Sequence, residues 1–223
     1  MGAAIGDTLP LALGIAISPI PIIAAILMLL SPRARVTSVG FLLGWVLGIV
    51  VAVSAFTLLS TVLPEEDPDA SRPVRGTVQL LLGAGLLLLA VMQWRGRPGP
   101  GRAARMPAWM QAIDTMRFPM ALGLGFLLSA VNPKNLLMAA GAGVDIGAAG
   151  LDGGAVVVVI AVFTVIAAST VLVPVVGYLV AAQRLHEPLD ALRGWLAREN
   201  AVIMAVLLLV IGVSMIGKGI AAF

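Results

Sequence analysis

Ser129-Ala130-Val131-Asn132-Pro133-Lys134-Asn135 sets a helix interruption and a charge inside an otherwise apolar run. Asn before Pro is a helix start: Asn suits the N-cap, and Pro suits the first helical position, where its missing N–H costs nothing. Within a long apolar segment the pair signals a helix that stops and restarts. Pro133 has no N–H for the Ser129 carbonyl four residues back, so that oxygen needs another partner. Lys134 adds a cation at a depth where insertion scales put the cost near ~3 kcal/mol, which marks it as a functional candidate. Ser18-Pro19-Ile20-Pro21 repeats the device in the first apolar run. There Ser18 can cap, Pro19 can restart the helix, and the carbonyls of Ile15 and Ile17 lose their donors. Two broken helices are predicted.

Around these motifs the composition is that of an integral membrane protein. Of 223 residues, 60% are hydrophobic and 11% charged, and the mean hydropathy is +1.07. Cysteine is absent, which excludes disulfides, thiolate metal sites and thiol relays. A pI near 10.2 would suggest nucleic acid in a soluble chain. Here the basic residues fall in short connections, where they set orientation, and no nucleic-acid reading follows. Met1 to Asp7 lacks the basic start of a signal peptide, so the first run reads as an uncleaved span.

Apolar windows of about 20 residues predict an all-α protein with six transmembrane helices: Thr8 to Leu30, Val39 to Leu63, Val74 to Trp94, Phe118 to Ala142, Gly154 to Ala182 and Asn200 to Ala221. The fifth, the longest, holds Pro174 and is expected to tilt, to kink or to begin outside the hydrocarbon, with Ser169 and Thr170 placed to satisfy backbone freed by a kink. Arg33, Arg35, Arg95, Arg97, Arg102, Arg105, Arg117, Arg184, Arg193 and Arg198 fall on one side, and Arg72, Arg75 and Lys218 on the other. The positive-inside rule makes the first side cytoplasmic and places both termini outside an inner, plasma membrane. Asp7, Glu65, Glu66, Asp67, Asp69, Asp145 and Asp152 gather on the outer side, and the run Glu65, Glu66, Asp67 and Asp69 reads as a solvated loop, with metal capture as the alternative. Met106, Trp109, Met110, Ile113 and Met116, and then Leu189, Leu192, Trp195 and Leu196, recur at helical spacing in two cytoplasmic connections. Both read as helices lying in the membrane interface.

Gly40, Gly44, Gly48 and Ala52 line one face of the second span, and Ala121, Gly125 and Ser129 one face of the fourth. Such small faces allow close helix contact, either within one chain or across a homodimer. Pro10-Leu-Ala-Leu-Gly14 is matched by Pro119-Met-Ala-Leu-Gly123, each followed by a break motif, and Leu81 to Gly85 by Leu208 to Gly212. The chain thus divides into a first three-helix unit, 1–106, and a second, 107–223. A unit with an odd number of spans enters from the opposite side in its second copy, giving an inverted 3+3 repeat of one membrane domain. In such transporters discontinuous helices meet near the midplane, where half-helix N-termini favour anionic groups.

These features together resemble the LysE (lysine exporter) superfamily. Ser18-Pro19-Ile20-Pro21, Asn132-Pro133-Lys134-Asn135 and the acidic outer loop look most like its GAP or Sap group, the glycolipid and sulfolipid addressing proteins, over essentially the whole chain. The resemblance implies a transporter or flippase-like role in moving envelope glycolipids, alongside a larger lipid exporter. Carried over by motif, the site residues are Ser18, Pro19, Pro21, Asn132, Pro133, Lys134 and Asn135, which Ser129 adjoins.

The expected substrate is an anionic or glycosylated lipid, neutralised by Lys134, with the bilayer itself as the other partner. A LysE-type exporter of small amino acids or ions and a non-transporting scaffold for a larger exporter are the rival readings. A helix entering near Phe118 carries Lys134 roughly 24 Å along its axis, so snorkelling to the outer interface competes with a cavity-facing role. Lys218 reads as an interface anchor, and His186 as a solvated loop residue. Gly212 to Gly219 lacks the strand and the Ser or Thr of a phosphate loop. No Ser/His/Asp set or intramembrane carboxylate pair argues for an enzyme, and neither cofactor nor metal is expected.

Overall fold

Proline and asparagine divide the apolar runs where the dihedral rules require. The structure, a computed structural model, describes residues 1–60, 73–97 and 108–223. Among them all regular structure is helical: α1 (Gly2–Ala16), α2 (Pro19–Leu29), α3 (Ala34–Ser60), α4 (Pro73–Arg95), a 3-10 helix (Ala108–Thr115), α5 (Phe118–Ala130), α6 (Pro133–Gly147), α7 (Gly153–Ala182) and α8 (Arg184–Ile220). α3, α4, α7 and α8 are each long and apolar enough to cross a membrane, and α1 with α2, bent by 54°, makes a fifth such unit. The chain is a multi-pass membrane protein. The acidic run Glu65, Glu66, Asp67 and Asp69, with Arg72, Arg102, Arg105 and Met106, lies outside the described residues.

Both breaks fall at the proline motifs. Ser18, extended at φ −121°, precedes Pro19, and Asn132, extended at φ −65° and ψ 123°, precedes Pro133. The residue before Pro is driven out of the helical region by the ring, which is why each helix must end there. Asn132 caps α6, its side-chain oxygen accepting from Lys134 N at 3.0 Å.

Glycine sets which helices touch. A Cβ on Gly125 of α5 would lie 2.9 Å from Trp45 N of α3, and one on Gly40 would lie 2.9 Å from Phe118 O. The glycine face of α3 is therefore occupied by α5 within the chain. α4 and α8 approach in the same way, Gly83 beside Gly212 O and Gly76 beside Gly219 O. Phe41, Trp45, Phe163, Ile15, Ile26 and Met138 fill the space between helices, whereas Leu43, Leu58, Leu81, Leu88, Val173 and Val180 point outward, as a lipid solvent allows.

Three expectations change. The helix break near the end of the fifth run lies at Ala181 (φ −141°, ψ 50°), while Pro174 sits inside continuous helix. Met110, Ile113 and Met116 are buried while Ala112 and Thr115 of the same segment are exposed, so the apolar face of the 3-10 segment packs on the protein and is not free to anchor in lipid. Leu189 to Leu196 is the beginning of α8 itself, with Leu189 and Leu196 buried and Trp195 exposed.

Candidate functional site

At the break between α1 and α2 the chain leaves carbonyls that no backbone N–H can reach. Lys134, in the first turn of α6, supplies the missing donors: its Nζ donates to Gly14 O at 2.6 Å, to Ser18 Oγ at 2.5 Å and, more loosely, to Ile17 O at 3.4 Å. An ammonium has three N–H bonds, and three acceptors meet it. The group also sits at the C-terminal end of α1, where the helix dipole favours a cation. With 4% exposure Lys134 does not reach an interface. Thr170 of α7 completes the arrangement, its Oγ1 donating to Ala16 O at 2.6 Å. Ser169 instead turns back to Ile166 O.

The other predicted residues divide by what they touch. Ser18, Pro19 and Pro21 are buried at the start of α2, and the Ser18 hydroxyl serves Lys134 in place of capping its own helix. Asn135, also buried, donates from Nδ2 to Leu128 O at 3.0 Å, which ties α6 to the end of α5. Its Oδ1 has no hydrogen-bond partner. Ser129 is not joined to this group: its hydroxyl donates back to Gly125 O and Phe126 O while the residue packs against Gly48 of α3.

Pro133 faces outward onto an apolar groove of about 490 Å³. Its walls are Phe56 of α3, Leu82, Gly85 and Leu89 of α4, and Leu136, Leu137 and Ala140 of α6. Apolar surface thus borders one side of the second break.

A second polar cluster was hidden from sequence reading. Asp145, expected on the outer side, lies within α6 with its side chain 2% exposed. Its Oδ1 accepts from Arg75 Nη2 at 3.1 Å and from Gln79 Nε2 at 2.9 Å, both of α4, and its Oδ2 from Lys218 Nζ of α8 at 3.0 Å. Lys218 also donates to Asp7 O of α1 at 2.9 Å, so it is a bridge between helices and not a free interface anchor. With the Asp7 carboxylate 3.6 Å from Lys218 Nζ, two carboxylates and two cations thus join α1, α4, α6 and α8 at one end of the bundle. The only sequence signal was that Asp145 precedes the Gly-Ala-Ala-Gly turn by a single residue, inside a run still apolar enough to be helix.

Among the described residues no group of three His, Cys, Asp or Glu is placed to hold a metal. A family model described as Sap, sulfolipid-1-addressing protein, matches residues 8–221. Neither a curated protein nor a solved structure matches the chain.

Proposed function

The chain belongs to the Sap, sulfolipid-1-addressing protein, family, and from that premise we propose that it is a non-catalytic inner-membrane component that moves or addresses anionic or glycosylated envelope lipids. The observation that carries this reading is the apolar groove beside Pro133. A side opening lined by Phe56, Leu82, Leu137 and Ala140 suits an acyl chain. An exporter of amino acids or ions needs instead a polar passage that replaces the solute's hydration.

In this reading α1 with α2, and α5 with α6, are each one discontinuous crossing, and the molecule is an inverted 3+3 repeat with six crossings. Three contacts support it. α5 lies against α3 through Gly125, α1 lies against α7 through Thr170, and α4 meets α8 glycine to glycine. These are the pairings expected if one three-helix unit is turned over to give the other.

Lys134 then acts as a latch. Its hold on Gly14 O and Ser18 Oγ links the two breaks, and an anionic headgroup entering from the groove would exchange for those neutral acceptors as its partner. The Asn135 Oδ1 beside it would accept from a headgroup hydroxyl. Lys218 and Arg75 on Asp145 close the other end of the bundle.

Translocation of a fluorescent anionic glycolipid in vesicles containing the purified chain tests the reading. Protein-dependent translocation is expected, with a marked loss for Leu137→Trp, which fills the groove, and for Lys134→Ala. Translocation that ignores Leu137→Trp overturns the groove route. No translocation by the isolated chain, together with its co-purification with a larger exporter, favours the scaffold role.

A further inference from the structure

A second groove lies on a different face of α4, between α4 and α8, and is separate from both breaks. Its origin can be read in the helices. At Gly76 with Gly219 and Gly83 with Gly212 the two backbones are nearly in contact. Past Gly85 in α4, and between Gly194 and Gly212 in α8, neither helix carries a glycine, and the small side chains of Ala90 and Ala205 leave a hollow between larger neighbours. This groove has a volume of about 620 Å³ and is walled by Leu87, Val91, Val206 and Leu209 over a floor of Ala90 and Ala205.

The groove is lined almost entirely by apolar surface and is bordered by one charged side chain. Arg95, in the last turn of α4, borders it beside Trp94, and the Arg97 guanidinium lies 3.9 Å from the centre of the Trp94 ring. A Trp with flanking arginines is the chemistry of the headgroup level, where an amphipathic ring and cations meet lipid phosphates. Apolar walls ending at a guanidinium complement a hydrocarbon tail ending in a negative charge.

We infer that the α4–α8 groove is a binding site for one anionic phospholipid from the leaflet at the Arg95 end, its acyl chain between Leu87 and Leu209 and its phosphate on Arg95. This rests on and deepens the lipid reading by adding a resident, charge-selected lipid between α4 and α8, at a place distinct from the groove at Pro133. A neutral lipid fills the same walls without engaging Arg95. Charge selection is therefore the property that separates a site from ordinary solvation by the bilayer.

The test is native mass spectrometry of the delipidated full chain in detergent, titrated with phosphatidylglycerol or with phosphatidylcholine of the same chains. The native protein should retain phosphatidylglycerol roughly fivefold or more over phosphatidylcholine, the scale set by one basic residue near an anionic surface. Arg95→Glu should abolish that preference while leaving phosphatidylcholine retention unchanged. Ala205→Trp, which fills the floor, should lower retention of both lipids. Equal retention of the two lipids by the native chain, a preference that survives Arg95→Glu, or retention unaffected by Ala205→Trp each overturns the assignment. All titrations are repeated in the Leu137→Trp background, where the Pro133 groove is filled, and the same outcomes there assign the lipid to the α4–α8 groove, so a failed translocation assay and a failed retention assay are read separately.

Discussion

Lys134 carries the heaviest local burden, because three acceptors of another segment depend on one side chain. Lys134→Ala leaves Gly14 O and Ile17 O without that donor in a medium that offers no water. Thermal unfolding in detergent should show a loss of roughly 1–3 kcal/mol, the scale of hydrogen bonds to a charged group. Thr170→Val removes a single neutral bond to Ala16 O, and the loss should be smaller, about 1 kcal/mol by the same assay. If the two variants are equally stable, Lys134 is not the main support of the α1 end. Asp145→Asn strips the charge that two cations share, and a loss of about 2–4 kcal/mol is expected, toward the lower end because Arg75 and Lys218 keep 20% and 30% side-chain exposure. The importance of Lys134 was legible in the sequence, since a cation in an apolar run must be accommodated by something. Its partners were not, as Gly14 and Ser18 are more than a hundred positions away.

At the scale of the helix, the prolines and glycines have separable jobs. Pro19 and Pro133 end helices because the preceding residues cannot stay helical, and their positions are local facts. Pro174 shows the limit of such reading: α7 continues through it and the break occurs seven residues later at Ala181, where α8 must turn back. Glycines on α5 give a sharper test. Gly125 has Trp45 N 2.9 Å from where a Cβ would be, whereas Gly123 has nothing within 4 Å. Gly125→Ala should destabilise by roughly 1–3 kcal/mol through overpacking against α3. Gly123→Ala, two residues away, should be neutral or stabilising by up to about 1 kcal/mol through helix propensity. Similar effects at both positions would mean that α5 does not pack on α3 through Gly125. The 3-10 segment teaches the same lesson in reverse. Met110, Ile113 and Met116 have the spacing of a surface anchor, yet they are core, because spacing says which residues share a face and not what covers it.

Across the whole molecule, helix polarity makes a prediction that labelling can check. The start of α1, the end of α6 and the end of α8 meet through Asp7, Asp145 and Lys218. His186, near the start of α8, lies at the far end of that helix. Because the chain contains no cysteine, single cysteines can be placed at Asp7, Gly150 and His186 without background. A membrane-impermeant thiol reagent should reach Asp7→Cys and Gly150→Cys from one face and His186→Cys only from the other. Labelling of all three from one side would refute the crossing pattern. The sequence alone determined that the chain belongs in a membrane, that two segments break at proline, and that Asn132 opens a new helix, since hydropathy and the geometry of X-Pro act within a few residues. Only the tertiary structure decided that Lys134 holds the end of α1, that Asp145 is buried among Arg75, Gln79 and Lys218, and that grooves flank α4. Those outcomes depend on which helices lie side by side, and close approach at glycine, which sets the neighbours, is a property of pairs of distant segments that neither segment encodes by itself.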